Sequence, residues 1–97
     1  VMLGQILSFT FNIESAAEQT QKLVIDYAVH FVKANGQTNA KVFKLKSIDL
    51  EPSQRKRIVK SHSFAPISTR RYYEGEHRIE VLINGQSWGE QSFMLYP

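Results

Sequence analysis

Arg70 and Arg71 stand side by side in a Ser-Thr-Arg-Arg stretch, and adjacent guanidinium groups present rigid donor forks that suit two-pronged capture of phosphate. The competing reading is structural, with one arginine pairing to Glu74 or Glu76 and pinning its loop. Lys33 and Lys41 flank a second candidate loop and can track the same anionic backbone. Lys44 and Lys46, two residues apart in an alternating run, extend the cationic track along one outer face, although lysines that protect a strand edge give the same pattern. From Tyr27 to Tyr73 ten basic residues face only Asp49 and Glu51, a local excess of eight positive charges in a chain whose net charge is +3. Such clustering points to an acidic partner, against the alternative of an ordinary solvated surface.

The remaining reactive side chains carry less. His62 precedes Ser63-Phe64 and is a candidate for phosphate or partner contact, weighed against a buried, hydrogen-bonded role. His77 alternates with Ile79 and Val81 and is expected to point inward near a sandwich corner. His30, His62 and His77 fall on three different runs without ligand spacing, so neither a metal site nor a cofactor is expected. No nucleophile elbow surrounds any serine, and there is no cysteine, which removes disulfides, thiolate metal sites and a cysteine nucleophile. No catalytic residue is assigned.

The elements that hold these residues read as strands. Leu7, Phe9, Phe11 and Ile13 alternate with polar residues, and Leu23, Ile25, Tyr27, Val29 and Phe31 repeat the period over a longer run. Further strands are predicted over Val42–Leu50, Arg57–Phe64, His77–Ile83 and Ser87–Leu95. Only residues 14–21 could form a helical turn, and they are too few and too polar for a stable helix. Asn84-Gly85 between two alternating runs is a strong signal for a two-residue hairpin turn. Pro52 ends the third strand. The fold class is therefore all-β, an immunoglobulin-like antiparallel β-sandwich of six to seven strands.

With 97 residues the chain makes one domain, residues 1–97. It has no apolar run near the length of a membrane span and no basic leader ahead of an apolar stretch, so the expectation is a cytoplasmic protein without membrane contact. It begins with Val and reads as a C-terminal fragment of something longer. If the strands run up and down in order, the loops at 35–40 and 65–76 share one pole. That pole would gather Lys33, Lys41, Arg70 and Arg71 with Tyr72 and Tyr73 beside them.

The segments KVFKLK (41–46), HSF (62–64) and TRRYYEGEHRIEVLING (69–85) resemble the immunoglobulin-like domain at the C-terminal end of AlkC-type DNA alkylation repair proteins. The likeness runs from about Gly4 to Leu95, with Ser53 standing where many such domains have a turn glycine. What the resemblance implies is a division of labour: a superhelix of HEAT-like repeats, absent from this chain, carries base excision, and the sandwich is an accessory domain that helps embrace damaged double-stranded DNA. Physics agrees, since excision needs a pocket with placed polar groups whereas phosphate contact needs only exposed Lys, Arg and amides.

Two further readings concern the surface. By simple alternation Val24, Val32, Val42, Leu82, Trp88 and Met94 all project outward, and six apolar side chains on nearby strands form a patch that wants covering. The expectation is that this face docks on the HEAT-like repeats. The alternative function is a protein interaction module using that face, or a sheet edge, to bind a partner. Carbohydrate binding by Trp88 and the tyrosines ranks last, because the aromatics are scattered along the chain.

Overall fold

The computed structural model describes residues 1–66 and 71–97. Among the described residues six strands run in chain order: β1 (Ile6–Glu14), β2 (Gln21–Val32), β3 (Thr38–Leu50), β4 (Arg55–Ser63), β5 (Gly75–Ile83) and β6 (Gln86–Leu95). They form two antiparallel sheets, one of order β1-β4 and one of order β3-β2-β5-β6. The fold class is the one expected, an immunoglobulin-like sandwich. At 47 × 22 × 22 Å it is elongated because β2 and β3, at 12 and 13 residues, each span about 40 Å at the usual rise per residue.

The core lies between the sheets and has two parts. Tyr27, Val29, Phe31, Phe64, Ile79 and Leu95 pack toward one pole, and Leu23, Ile25, Leu50 and Ile58 toward the other. Leu45 touches both. The period-two pattern of β2 places Leu23, Ile25, Tyr27, Val29 and Phe31 inward, as the sequence dictates. β1 behaves differently: Leu7, Phe9, Phe11 and Ile13 do face inward, yet each is only half-buried. Their partner sheet is four strands wide and their own is two, so one flank of the core has no cover.

Turn chemistry fixes the registers. Asn84 and Gly85 have φ of 51° and 80°, the positive pair that a two-residue primed turn requires. Asn84 does more than turn: its Oδ1 accepts from the Val24 amide at 2.8 Å and its own amide donates to the Val24 carbonyl at 2.9 Å. The hairpin tip is thereby laced onto the part of β2 that extends past β5. Ser53, at φ 62°, occupies the left-handed position of the β3–β4 turn, which Gln54 closes by donating to the Glu51 carbonyl at 3.0 Å.

Two β-bulges alter the alternation read from the sequence. In β3 the register slips between Ile25 and Asp26, so that Asp26 faces Lys44 while Ile25 faces Lys46. Leu45, the extra residue, packs on the core, and Lys44 and Lys46 on either side of it are both exposed. In β6 the slip lies opposite Val81 and Leu82: Gly89 pairs with Val81 and Ser87 with Leu82, leaving Trp88 as the extra residue. Gly89 has φ of 158°, close to extended backbone. A bulge inserts one residue and re-aims its neighbours, and no composition signal marks either site.

Candidate nucleic-acid interface

The antiparallel topology brings the loop after β2 and the described residues just before β5 to one pole. β2 ends at Val32 and β5 begins at Gly75, and a Cβ placed on Gly75 would sit 3.5 Å from the Val32 side chain. The first loop is a tight one over residues 33–37. The Lys33 amide donates to the Gln37 carbonyl at 2.7 Å and the Gly36 amide to the Lys33 carbonyl at 3.0 Å, while Asn35 Oδ1 accepts from the Gln37 amide at 3.0 Å. Thr38 and Asn39 belong to β3 rather than to the loop, so Lys41 lies on the strand a few residues inside the pole.

Aromatic rings carry two of the cations. Lys41 Nζ rests 5.5 Å from the centroid of Phe43, and Phe43 lies 6.4 Å from Phe31. Phe31 in turn contacts Tyr72 at 6.0 Å, and Tyr72 packs on Phe64 at 5.3 Å. The Arg71 guanidinium lies 5.3 Å from the Tyr73 ring. Lys41 and Arg71, thirty residues apart in sequence, thus each rest against an aromatic ring at this pole. Stacking of a cation on a ring orients it without neutralising it.

Neutralisation is indeed missing. Among the described residues the ion pairs are His30–Glu80, Arg55–Glu14 and Arg78–Glu90. Lys33, Lys41, Lys44, Lys46 and Arg71 take part in none of them, so the pairing with Glu74 or Glu76 is not made by Arg71. Arg70 lies outside the described residues.

The flank beside this pole extends the charge in a way the sequence reading did not anticipate. β4 packs across β3, with the rings of His62 and Phe43 4.8 Å apart. Arg57 is exposed, and Lys56 and Lys60 are half-buried on the side of β4 that also carries buried Ile58. Long stems of this kind cover apolar surface while the ammonium stays in water. Lys41, Lys44 and Lys46 on one edge strand and Lys56, Arg57 and Lys60 on the other therefore share one flank. The signal was present as the run of basic residues from 41 to 60, but only the adjacency of β3 and β4 turns it into a surface.

His62 does not belong to that surface. Its Nδ1 lies 2.8 Å from the Tyr27 hydroxyl and its ring is packed against Phe31, Phe43 and Phe64. Burial beneath the aromatic cluster removes it from phosphate contact, and burial also raises the Tyr27 pKa above its usual value. His77 is likewise inward and fully buried. Its Nδ1 lies 3.1 Å from the Gly75 carbonyl, which as an acceptor fixes the proton on Nδ1. Nε2 has no hydrogen-bond partner among the described residues. Burial lowers its pKa, against a smaller opposite pull from the Gly75 carbonyl.

The expected apolar docking face does not assemble. Val24, Val32, Val42, Leu82 and Met94 do lie on the outer side of the four-stranded sheet, but Val32 and Leu82 are half-buried. A polar network crosses between them: His30 Nε2 meets Glu80 at 3.1 Å, Arg78 reaches Glu90 at 3.2 Å and His30 Nδ1 lies 3.2 Å from Arg78. Hydrogen bonds from Ser87 and then His30 hold the Glu80 carboxyl below its usual pKa. The network separates Val24 and Val42 from Met94. Trp88 is on neither part, because the β6 bulge turns it to the opposite side, where it lines a cleft with Phe9, Phe11, Val81 and Phe93. It also lies far along β6 from the pole that holds Tyr72 and Tyr73, so the three do not form a carbohydrate platform.

Comparison with known proteins identifies the family and the fold. The chain is 38% identical over 86 residues to the protein YhaZ of Bacillus subtilis (strain 168), covering 89% of this chain and 24% of that protein. It superposes with a TM-score of 0.97 and 38% identity on Pseudomonas fluorescens alkylpurine DNA glycosylase AlkC bound to DNA containing an abasic site analog, over the whole of this chain and 27% of that one. A β-glucosidase from Listeria innocua matches with a TM-score of 0.80 at 15% identity over 14% of its length, a likeness of fold alone. The chain thus spans about a quarter of the length of YhaZ and of AlkC. Residues 1–97 match throughout the family described as "Uncharacterised protein YhaZ, C-terminal Ig-like domain", and the chain belongs to that family.

Proposed function

We propose that this domain is the accessory DNA-binding part of an alkylation-damage DNA glycosylase and contacts the sugar-phosphate backbone through Lys33, Lys41 and Arg71, with Lys44 and Lys46 extending the track. The observation that carries the reading is the whole-length likeness to a DNA-bound alkylpurine DNA glycosylase, joined to cations that make no ion pair among the described residues. Base excision then resides in HEAT-like repeats of the longer, cytoplasmic protein, which bind the same damaged duplex. The flank of Lys56, Arg57 and Lys60 adds long-range attraction. Contacts of this kind position a protein on DNA and carry no sequence information.

Amide hydrogen exchange of the full-length protein, with and without a duplex holding an abasic analog, tests the proposal. Slowed exchange at residues 33–41 and 71–73 on adding DNA is expected. Protection confined to the rest of the protein, with these segments unchanged, would instead assign the domain to protein contact.

A further inference from the structure

The uncovered flank of the core is a cleft of about 420 Å³ between β1 and β6. Leu7, Phe9, Phe11 and Ile13 line one side, Ile79, Val81, Ile83 and Phe93 the other, with Trp88 on the rim. Trp88 is 68% exposed. Half-buried aromatic and aliphatic side chains in a strict inward register are what a sandwich shows when one strand of its smaller sheet or side wall is missing.

The first three residues show where that strand runs. Met2 bridges Tyr96 in parallel. The Val1 nitrogen donates to the Met94 carbonyl at 2.7 Å, the Tyr96 amide to the Val1 carbonyl at 2.9 Å and the Leu3 amide to the Tyr96 carbonyl at 2.8 Å. These slanted, evenly spaced bonds are the first rungs of a parallel ladder on the outer edge of β6. Because β6 descends from Asn84-Gly85 toward this pole, the chain leading into Val1 descends beside it. The family is a C-terminal domain that makes up about a quarter of its longer relatives, so the rest of such a protein enters at this point.

We propose that the segment immediately preceding Val1 in the full-length protein is a seventh strand, parallel to β6, that closes the cleft. Alternation sets its chemistry. Val1 packs on the core, so the second and fourth residues before it share its orientation, point into the cleft and are apolar. Their amides also face β6, where the Ser92 and Glu90 carbonyls receive them, and their carbonyls accept from the Met94 and Ser92 amides. From Met94 to Trp88 the strand needs about seven residues, or about 20 Å. The domain is in this way clamped to the body of the protein by backbone pairing, and its orientation on that body is fixed.

Hydrogen exchange of the full-length protein without DNA tests this, using the free-edge amides of β3 as an internal reference. The Ser92 and Met94 amides are expected to exchange at least about 100-fold more slowly than that reference, and Trp88 emission to be that of a shielded indole. A proline placed two residues before Val1 removes a ladder donor and is expected to speed exchange at Ser92 and Met94 at least tenfold. A proline immediately before Val1, whose amide faces away from β6, is expected to leave it unchanged. Exchange at Ser92 and Met94 as fast as the reference, or an equal response to both prolines, would overturn the proposal. So would shielding of Trp88 without amide protection, which would mean that a small apolar ligand or another surface fills the cleft.

Discussion

At the residue scale the informative positions are those where one side chain meets two demands. His77 is buried with its proton committed to the Gly75 carbonyl, and burial depresses its pKa. The unfolded chain therefore takes up the second ring proton, the one that charges the imidazole, more readily than the folded one. Stability from the neutral ring is complete above pH of about 6.5 and falls as pH drops through that value toward the depressed folded pKa. Replacing His77 by Gln is expected to flatten the dependence of the denaturation midpoint on pH between about 7 and 5. Glu80 acts in a lower window, because its depressed pKa stabilises the fold above about 4.5 and ceases to do so as acid protonates it. Ser53, at φ 62°, holds a conformation that glycine adopts without steric cost, so Ser53→Gly is expected to raise stability by up to about 1 kcal/mol in chemical denaturation. A loss on this change would mean that the chain entropy added by glycine outweighs the relieved strain.

The elements divide into those that local pattern specified and those that tertiary structure redirected. Leu23 to Phe31 alternate with a clean period of two because both neighbours of β2 are in the same sheet and one face is wholly covered. The Asn84-Gly85 turn was equally readable, since few residues other than Asn and Gly reach positive φ cheaply. Its further role in capping β2 was not, because it joins residues sixty apart. Asn84→Ala is expected to cost about 1–2 kcal/mol from the strained backbone and the unpaired Val24 amide. By contrast simple alternation puts Trp88 on the outer face, and the β6 bulge turns it to the cleft. For His62 the sequence leaves open phosphate or partner contact and a buried, hydrogen-bonded role, and the overlap of β4 with β2 and β3 decides for burial. At the core, Phe64 has no exposed surface, and Phe64→Ala should destabilise by about 3–5 kcal/mol.

At the scale of the whole molecule, topology does the functional work. Antiparallel order brings the loop at 33–37 and the segment before β5 to one pole, and the packing of β4 across β3 gathers the basic run of the sequence on one flank. The charge segregation could be counted in the sequence, whereas the flank could not, because it depends on which edges meet. The same two-on-four arrangement leaves the opposite flank open, so the cationic side and the apolar cleft lie on different flanks of the sandwich. Reversing Lys41 and Arg71 to Glu in the full-length protein tests the cationic assignment most directly, read as affinity for a duplex with an abasic analog over a range of salt. The account predicts at least about a tenfold loss at low salt and a salt slope smaller by about 2, since each phosphate contact contributes roughly 0.9. Unchanged affinity with an unchanged slope would contradict it.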